Sequence, residues 1–123
     1  MRVVTLQELG DCPRGTIFSD YEPCIVKELY RFQAPLRRVH EDDEHHKKGM
    51  VTDFFYQSIM PEPGDDAYCE PGDDPTKGFK ISGNGGRWGC FEYDALFLVY
   101  DKEDVARLVT MLTGTEADIE KMR

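Results

Sequence analysis

No stretch of this chain approaches the roughly 20 consecutive apolar residues of a membrane-crossing helix. Its first ten residues, MRVVTLQELG, hold no hydrophobic export-signal core. These absences set the expectation of a cytoplasmic protein that makes no contact with membranes. Closely spaced cysteines are missing too. Cys12, Cys24, Cys69 and Cys90 stand at least twelve positions apart, so the Cys-x-x-Cys pairing of structural zinc sites is absent. In a chain without an export signal they read as free thiols. His40, His45 and His46 add soft donors but no ligand spacing, and neither a metal nor a cofactor is expected.

Basic charge is scarce: 15 Lys and Arg face 24 Asp and Glu, a formal net of −9. Phosphate recognition rests on Lys and Arg, so direct nucleic-acid binding is not expected. Catalytic signatures are missing as well. No serine sits in a nucleophile elbow, and no cysteine joins a histidine in a local signature. The glycine loop GNGGRWG at 83–89 departs from dinucleotide and P-loop spacing, and the residues after it read as strand. The chain is expected not to be an enzyme.

What is present is a strongly uneven charge. Residues 41–74 carry eleven acidic side chains against Lys47 and Lys48, a net of −9, which leaves the remainder balanced. Within them Glu62-Pro63-Gly64-Asp65-Asp66 recurs as Glu70-Pro71-Gly72-Asp73-Asp74. Two copies are too few for a solenoid, and the closing glutamate of a calcium loop is absent, so a local duplication in a loop suffices. Such acidic loops either solvate the surface or attract a partner with a basic groove.

At 123 residues the chain forms one domain, with two long polar loops at about 34–50 and 61–77. Its organising stretch is ALFLVYDKEDVARLVTML, residues 95–112. Residues 95–100 are almost wholly apolar and read as a strand buried on both faces. Asp101 stands as N-cap, with Glu103 and Asp104 in the first turn of the helix that follows. Val105, Leu108, Val109 and Leu112 then form an apolar stripe that should lie on a sheet, and Gly114 suits a left-handed stop.

Earlier in the chain, Thr5-Leu6-Gln7-Glu8 is a capping box opening a short helix. Strands are expected at 16–18, 24–32, 51–60 and 78–82. In the strand at 51–60, Val51, Phe55 and Ile59 should share one face, Phe54 and Tyr56 the other. Residues 90–93 should return from a hairpin at the glycine loop. The sum is an α+β domain, a mainly antiparallel sheet of four or five strands with one C-terminal amphipathic helix packed on it. Trp88, the only tryptophan, sits beside Arg87 and reads either as a contact residue or as a cap on the core edge.

The blocks GTIF (15–18), YEPC (21–24), DFFYQ (53–57), GCF (89–91), LFLVY (96–100) and EDV (103–105) resemble small uncharacterised phage and prophage proteins. The resemblance brings no catalytic motif. It implies an accessory protein acting in the host cytoplasm by binding host or phage macromolecules. Two functions from different classes follow. One is a phage-type inhibitor, anti-CRISPR-like, whose acidic loops take the place of a nucleic-acid backbone on a host protein or complex with a basic surface. The carboxylates expected to carry it are Glu41, Asp42, Asp43, Glu44, Asp65, Asp66, Asp73 and Asp74, with Arg87 and Trp88 as further contacts. The other is a small-ligand binder in which the glycine loop, Arg87 and Trp88 form one wall of a pocket. A homodimer is an open option.

Overall fold

The computed structural model describes residues 1–24, 28–39, 47–59 and 85–123. Among them, six strands pair antiparallel in one open sheet ordered β1-β6-β2-β3-β4-β5. The strands are β1 (Arg2–Thr5), β2 (Ile17–Asp20), β3 (Tyr30–Arg37), β4 (Val51–Ser58), β5 (Gly85–Arg87) and β6 (Leu96–Tyr100). Three helices accompany them: α1 (Leu6–Gly10), α2 (Lys102–Thr113) and α3 (Glu116–Met122). The α+β class holds, with six strands rather than four or five. The expected strand at 78–82 lies outside the described residues.

The helix that fills the core is the five-residue α1. The Thr5 hydroxyl accepts from the Glu8 N–H while the Glu8 carboxylate accepts from the Thr5 N–H, each at 3.2 Å. This reciprocal box fixes so short a helix and drives Leu6 and Leu9 fully out of water. Gln7 then ties α1 to the start of β4. Its amide donates to the Val51 carbonyl and accepts from the Val51 N–H, both at 2.8 Å. Around Leu6 and Leu9 gather Val4, Phe18, Phe32, Val51, Phe54, Phe97 and Val99. Burying these side chains contributes about 1.5–3 kcal/mol each.

The C-terminal helix departs from expectation. Asp101 caps α2 as foreseen, accepting from the Asp104 N–H at 2.9 Å. Yet α2 buries none of its residues, and Val109 and Leu112 are 52% and 83% exposed. Its stripe does not seal the sheet, because α1 already covers the face that holds the core. For the same reason β6, although central, is buried on one face only. Phe97 and Val99 point into the core, whereas Leu96 is exposed and Leu98 half-buried. Gly114 is extended (φ −77°, ψ 165°) rather than left-handed, leading straight into Thr115, the N-cap of α3.

The β3–β4 ladder carries two register shifts, between Phe32 and Ala34 and between Leu36 and Arg37. β3 begins at Tyr30, not at Cys24, and continues through Pro35 to Arg37, so residues 34–37 belong to the sheet and not to the polar connection. Proline is tolerated there because β2 pairs only with the Tyr30 end of β3, leaving the later half with β4 as its one partner. In β4, the register slips between Leu36 and Arg37, where Thr52 is passed over. That extra residue lets Val51 and Phe54 both reach the core, three positions apart, and leaves Phe55 and Ile59 exposed. Residues 90–93 do not form the expected returning strand. Phe91 takes a positive φ of 51°, and the chain turns at Tyr93 and Asp94.

Candidate ligand-binding site

Alternation places Phe18 and Asp20 of β2, Tyr30 of β3, and Phe54 and Tyr56 of β4 on the same face as the core. α1 covers that face near Val4 and Val51 but leaves the aromatic end open. Trp88 and Cys90, just past β5, complete a notch of about 190 Å³ lined, among the described residues, by these seven side chains. Its rings support one another. Phe54 stacks on Trp88 with centroids 5.2 Å apart, and the planes of Tyr30 and Tyr56 meet at 72° across 5.0 Å. Phe18 packs against both Tyr30 and Phe54. The Tyr30 hydroxyl donates to Glu28 at 3.1 Å. Burial, followed by that bond and the charge of Glu28, pushes the Tyr30 phenol up to about 12.

Trp88 is held by its own backbone and by a buried acid. Its N–H donates to the Phe54 carbonyl at 3.0 Å, continuing the β4–β5 ladder. Asp53, only 2% exposed, accepts at Oδ1 from the Phe54 and Gly89 N–H groups, each at 2.8 Å. Its Oδ2 lies 2.8 Å from Arg87 Nε without an aligned hydrogen bond, so this second contact is one of charge. Arg87 also lies over the Phe91 ring, 5.7 Å from its centre. The pairing of Arg87 with Phe55 sets it on the sheet face opposite the notch. Among the described residues, the lining of the notch includes Trp88 and not Arg87. Trp88 lines the notch and closes the core edge, while Arg87 anchors the segment from behind.

The eight carboxylates expected to meet a partner, Glu41, Asp42, Asp43, Glu44, Asp65, Asp66, Asp73 and Asp74, all lie outside the described residues. So do His40, His45, His46 and Cys69. Among the described residues no three His, Cys, Asp or Glu side chains group as metal ligands, and no helix is long and apolar enough to cross a membrane. Cys12, Cys24 and Cys90 are free thiols. Burial raises the pKa of both Cys12 and Cys90, with the charges of Glu92, Asp20 and Asp53 adding to the effect at Cys90. Both stay protonated at neutral pH, unlike the thiolates that attack or bind metal.

A larger groove of about 560 Å³ opens beside α2, between Pro13, Ile17, Val99 and Val105, with Arg2, Arg14 and Lys102 also lining it. Its lining mixes these apolar and basic side chains with Thr16, Tyr100 and Asp101. The notch is the better site: smaller, floored by core rings and joined by an acid. Sequence reasoning singled out Trp88 but missed Phe18, Asp20, Tyr30, Phe54 and Tyr56 as its companions. The available signal was alternation, since Phe18 and Asp20, like Phe54 and Tyr56, are two apart. No known protein-family model, curated protein or solved structure matches the chain.

Proposed function

We propose that this chain is a non-enzymatic binding protein of phage type that inhibits a host macromolecule, its acidic loops occupying a basic nucleic-acid-binding surface such as that of a CRISPR effector. The observation that carries the reading is the charge: residues 41–74 account for a net of −9, equal to that of the whole chain. Carboxylates concentrated in this way meet Lys and Arg as a phosphate backbone does, through charge-assisted hydrogen bonds. The test is capture from host lysate at low and at high salt, with the intact chain and with Glu41, Asp42, Asp43 and Glu44 changed to Lys. Recovery of a nucleic-acid-handling complex that both salt and charge reversal release is the expected result. Capture indifferent to both would end the mimicry reading.

A second reading, a small-ligand binder, is favoured by one specific observation. Five aromatic residues, Trp88 among them, and Asp20 line a notch that α1 leaves uncovered. Titration of Trp88 emission with candidate ligands tests it, since no other tryptophan contributes.

A further inference from the structure

We propose that the groove beside α2 takes a free aliphatic carboxylate of medium chain length, its chain against Ile17, Val99 and Val105 and its head group among Arg2, Arg14 and Lys102. This site is separate from both the notch and the acidic loops, and its chemistry goes beyond the two readings above.

Charge selects the head group. Three cations line the groove against one carboxylate, that of Asp101. Asp101 is already engaged: its Oδ1 accepts from the Asp104 N–H at 2.9 Å, and its Oδ2 lies 3.5 Å from the N-terminal ammonium. Acids close by in the sequence are answered too, Asp11 by Arg37 at 2.9 Å and Asp104 by the N-terminus at 2.7 Å. Glu103 follows Lys102 directly, but adjacent helical residues do not face each other, and Glu103 is not part of the lining. The cations are left over. Among the described residues the side chains of Arg14 and Lys102 make no hydrogen bond or ion pair, whereas every other arginine except Arg2 has a partner. Arg2 acts on the Cys12 thiol, itself in the lining, and pairs with no described carboxylate. A carboxylate would give these groups the charge-assisted hydrogen bonds they lack.

The walls select the body. Val99 belongs to the core, Ile17 and Val105 are half-buried, and Pro13 adds a further apolar surface. Tyr100 is the one aromatic residue in the described lining, so the groove suits an alkyl chain better than a stacking ring. Its volume of about 560 Å³ falls within the roughly 300–1,000 Å³ of small-molecule sites.

All three cations stand on backbone that is already fixed. Arg14 is the second residue of the turn Pro13–Thr16, which the Thr16 N–H closes on the Pro13 carbonyl at 3.2 Å. Gly15 supplies the positive φ, 97°, that a type II turn needs at its third position. Backbone bonds from Gly15 to Phe32 and from Phe32 to Thr16, each 2.8 Å, tie this turn to β3. Arg2 lies on β1 opposite Val99, and Lys102 opens α2 directly after its cap. Mounting of this kind lowers the ordering cost of binding.

The experiment titrates the full-length protein with sodium octanoate, octan-1-ol and sodium acetate. Its readout is the rate at which iodoacetamide alkylates each cysteine, followed by peptide mass spectrometry. Octanoate should slow Cys12, in the groove, and leave Cys24 and Cys90 unchanged. Octan-1-ol should act at least ~10-fold more weakly, the order of one charged hydrogen bond, and acetate should not act over the same range. Arg14→Gln should weaken octanoate by about the same factor without altering the response to octan-1-ol. Equal protection by octanoate and octan-1-ol would overturn the carboxylate assignment, and equal protection by acetate would overturn the alkyl one. Protection of Cys90 instead of Cys12 would put the chain in the notch and overturn the groove as the site. Protection by phosphatidylglycerol vesicles but not by octanoate would place the anion in a membrane and overturn the free ligand. No protection by any of them would overturn the proposal whole. The ligand comparison uses the unaltered protein, so the outcome does not depend on whether the variant folds.

Discussion

Gly10 and Asp53 show how single residues set the geometry of this fold. α1 docks so closely on β4 that a Cβ at position 10 would fall on the Val51 side chain. Val51 is β-branched and fully buried, so it has no room to yield. Gly10→Ala should therefore cost about 1–3 kcal/mol in denaturant unfolding, as overpacking does. An unchanged midpoint would show that α1 can lift off the sheet. Asp53 is a buried acid whose charge is answered by two backbone N–H groups and Arg87. Asp53→Ala should cost about 1.5–3 kcal/mol, the range for hydrogen bonds to a charged group, and alter Trp88 emission by releasing Gly89. Asp53→Asn, which keeps an acceptor for Gly89, should cost less. Tyr30 supplies a pH test. Its folded pKa of about 12 lies above the ordinary 10.0, so the neutral phenol is favoured by folding. That contribution is whole below pH 10.0 and is lost as pH rises through about 12. Spectroscopic titration should show one tyrosine ionising late, and Glu28→Gln should bring it earlier.

At the scale of elements, the question is what α2 contributes. It is well capped, by Asp101 and Asp104 in a reciprocal box, yet it buries no side chain. A helix without buried anchors opens locally rather than with the whole molecule. Asp101→Ala should remove about 1 kcal/mol from the helix. Amide exchange within α2 should quicken about fivefold while the global unfolding midpoint stays in place. Leu112→Ser should change stability by no more than about 0.5 kcal/mol, because its side chain is already 83% exposed. A loss of 2 kcal/mol or more would show α2 seated on an apolar surface after all. The helix starts were legible in the sequence because caps are local: Thr5 with Glu8, and Asp101 with acids in the first turn. The assignment of helix to core was not. The apolar stripe of α2 satisfies the same periodicity as a buried helix, and only the docking of Leu6, Gln7 and Leu9 against Val51, some 40 positions away, decides which helix covers the sheet. The bulge at Thr52 is equally non-local, since it follows from the register of β3 on β4. The notch stayed hidden for the same reason. Its rings come from β2, β3, β4 and the segment after β5, which only the strand order brings together.

For the whole molecule, salt acts in two opposite directions, and that contrast tests the charge argument. A formal net of −9 at pH 7, concentrated between residues 41 and 74, makes the folded chain repel itself. Screening lengths fall from about 30 Å at 0.01 M salt to about 8 Å at 0.15 M, which weakens repulsion between exposed carboxylates. The isolated protein should therefore melt at a higher temperature in 0.15 M sodium chloride than in 0.01 M. A complex with a basic host surface should behave the other way, because each attraction that holds it is screened by the same ions. Measured side by side, thermal unfolding of the free chain and affinity for a captured partner should move in opposite senses over that range. A free chain destabilised by salt would mean that its surface charges are mostly paired. The acidic loops would then have too little free potential to draw a basic partner.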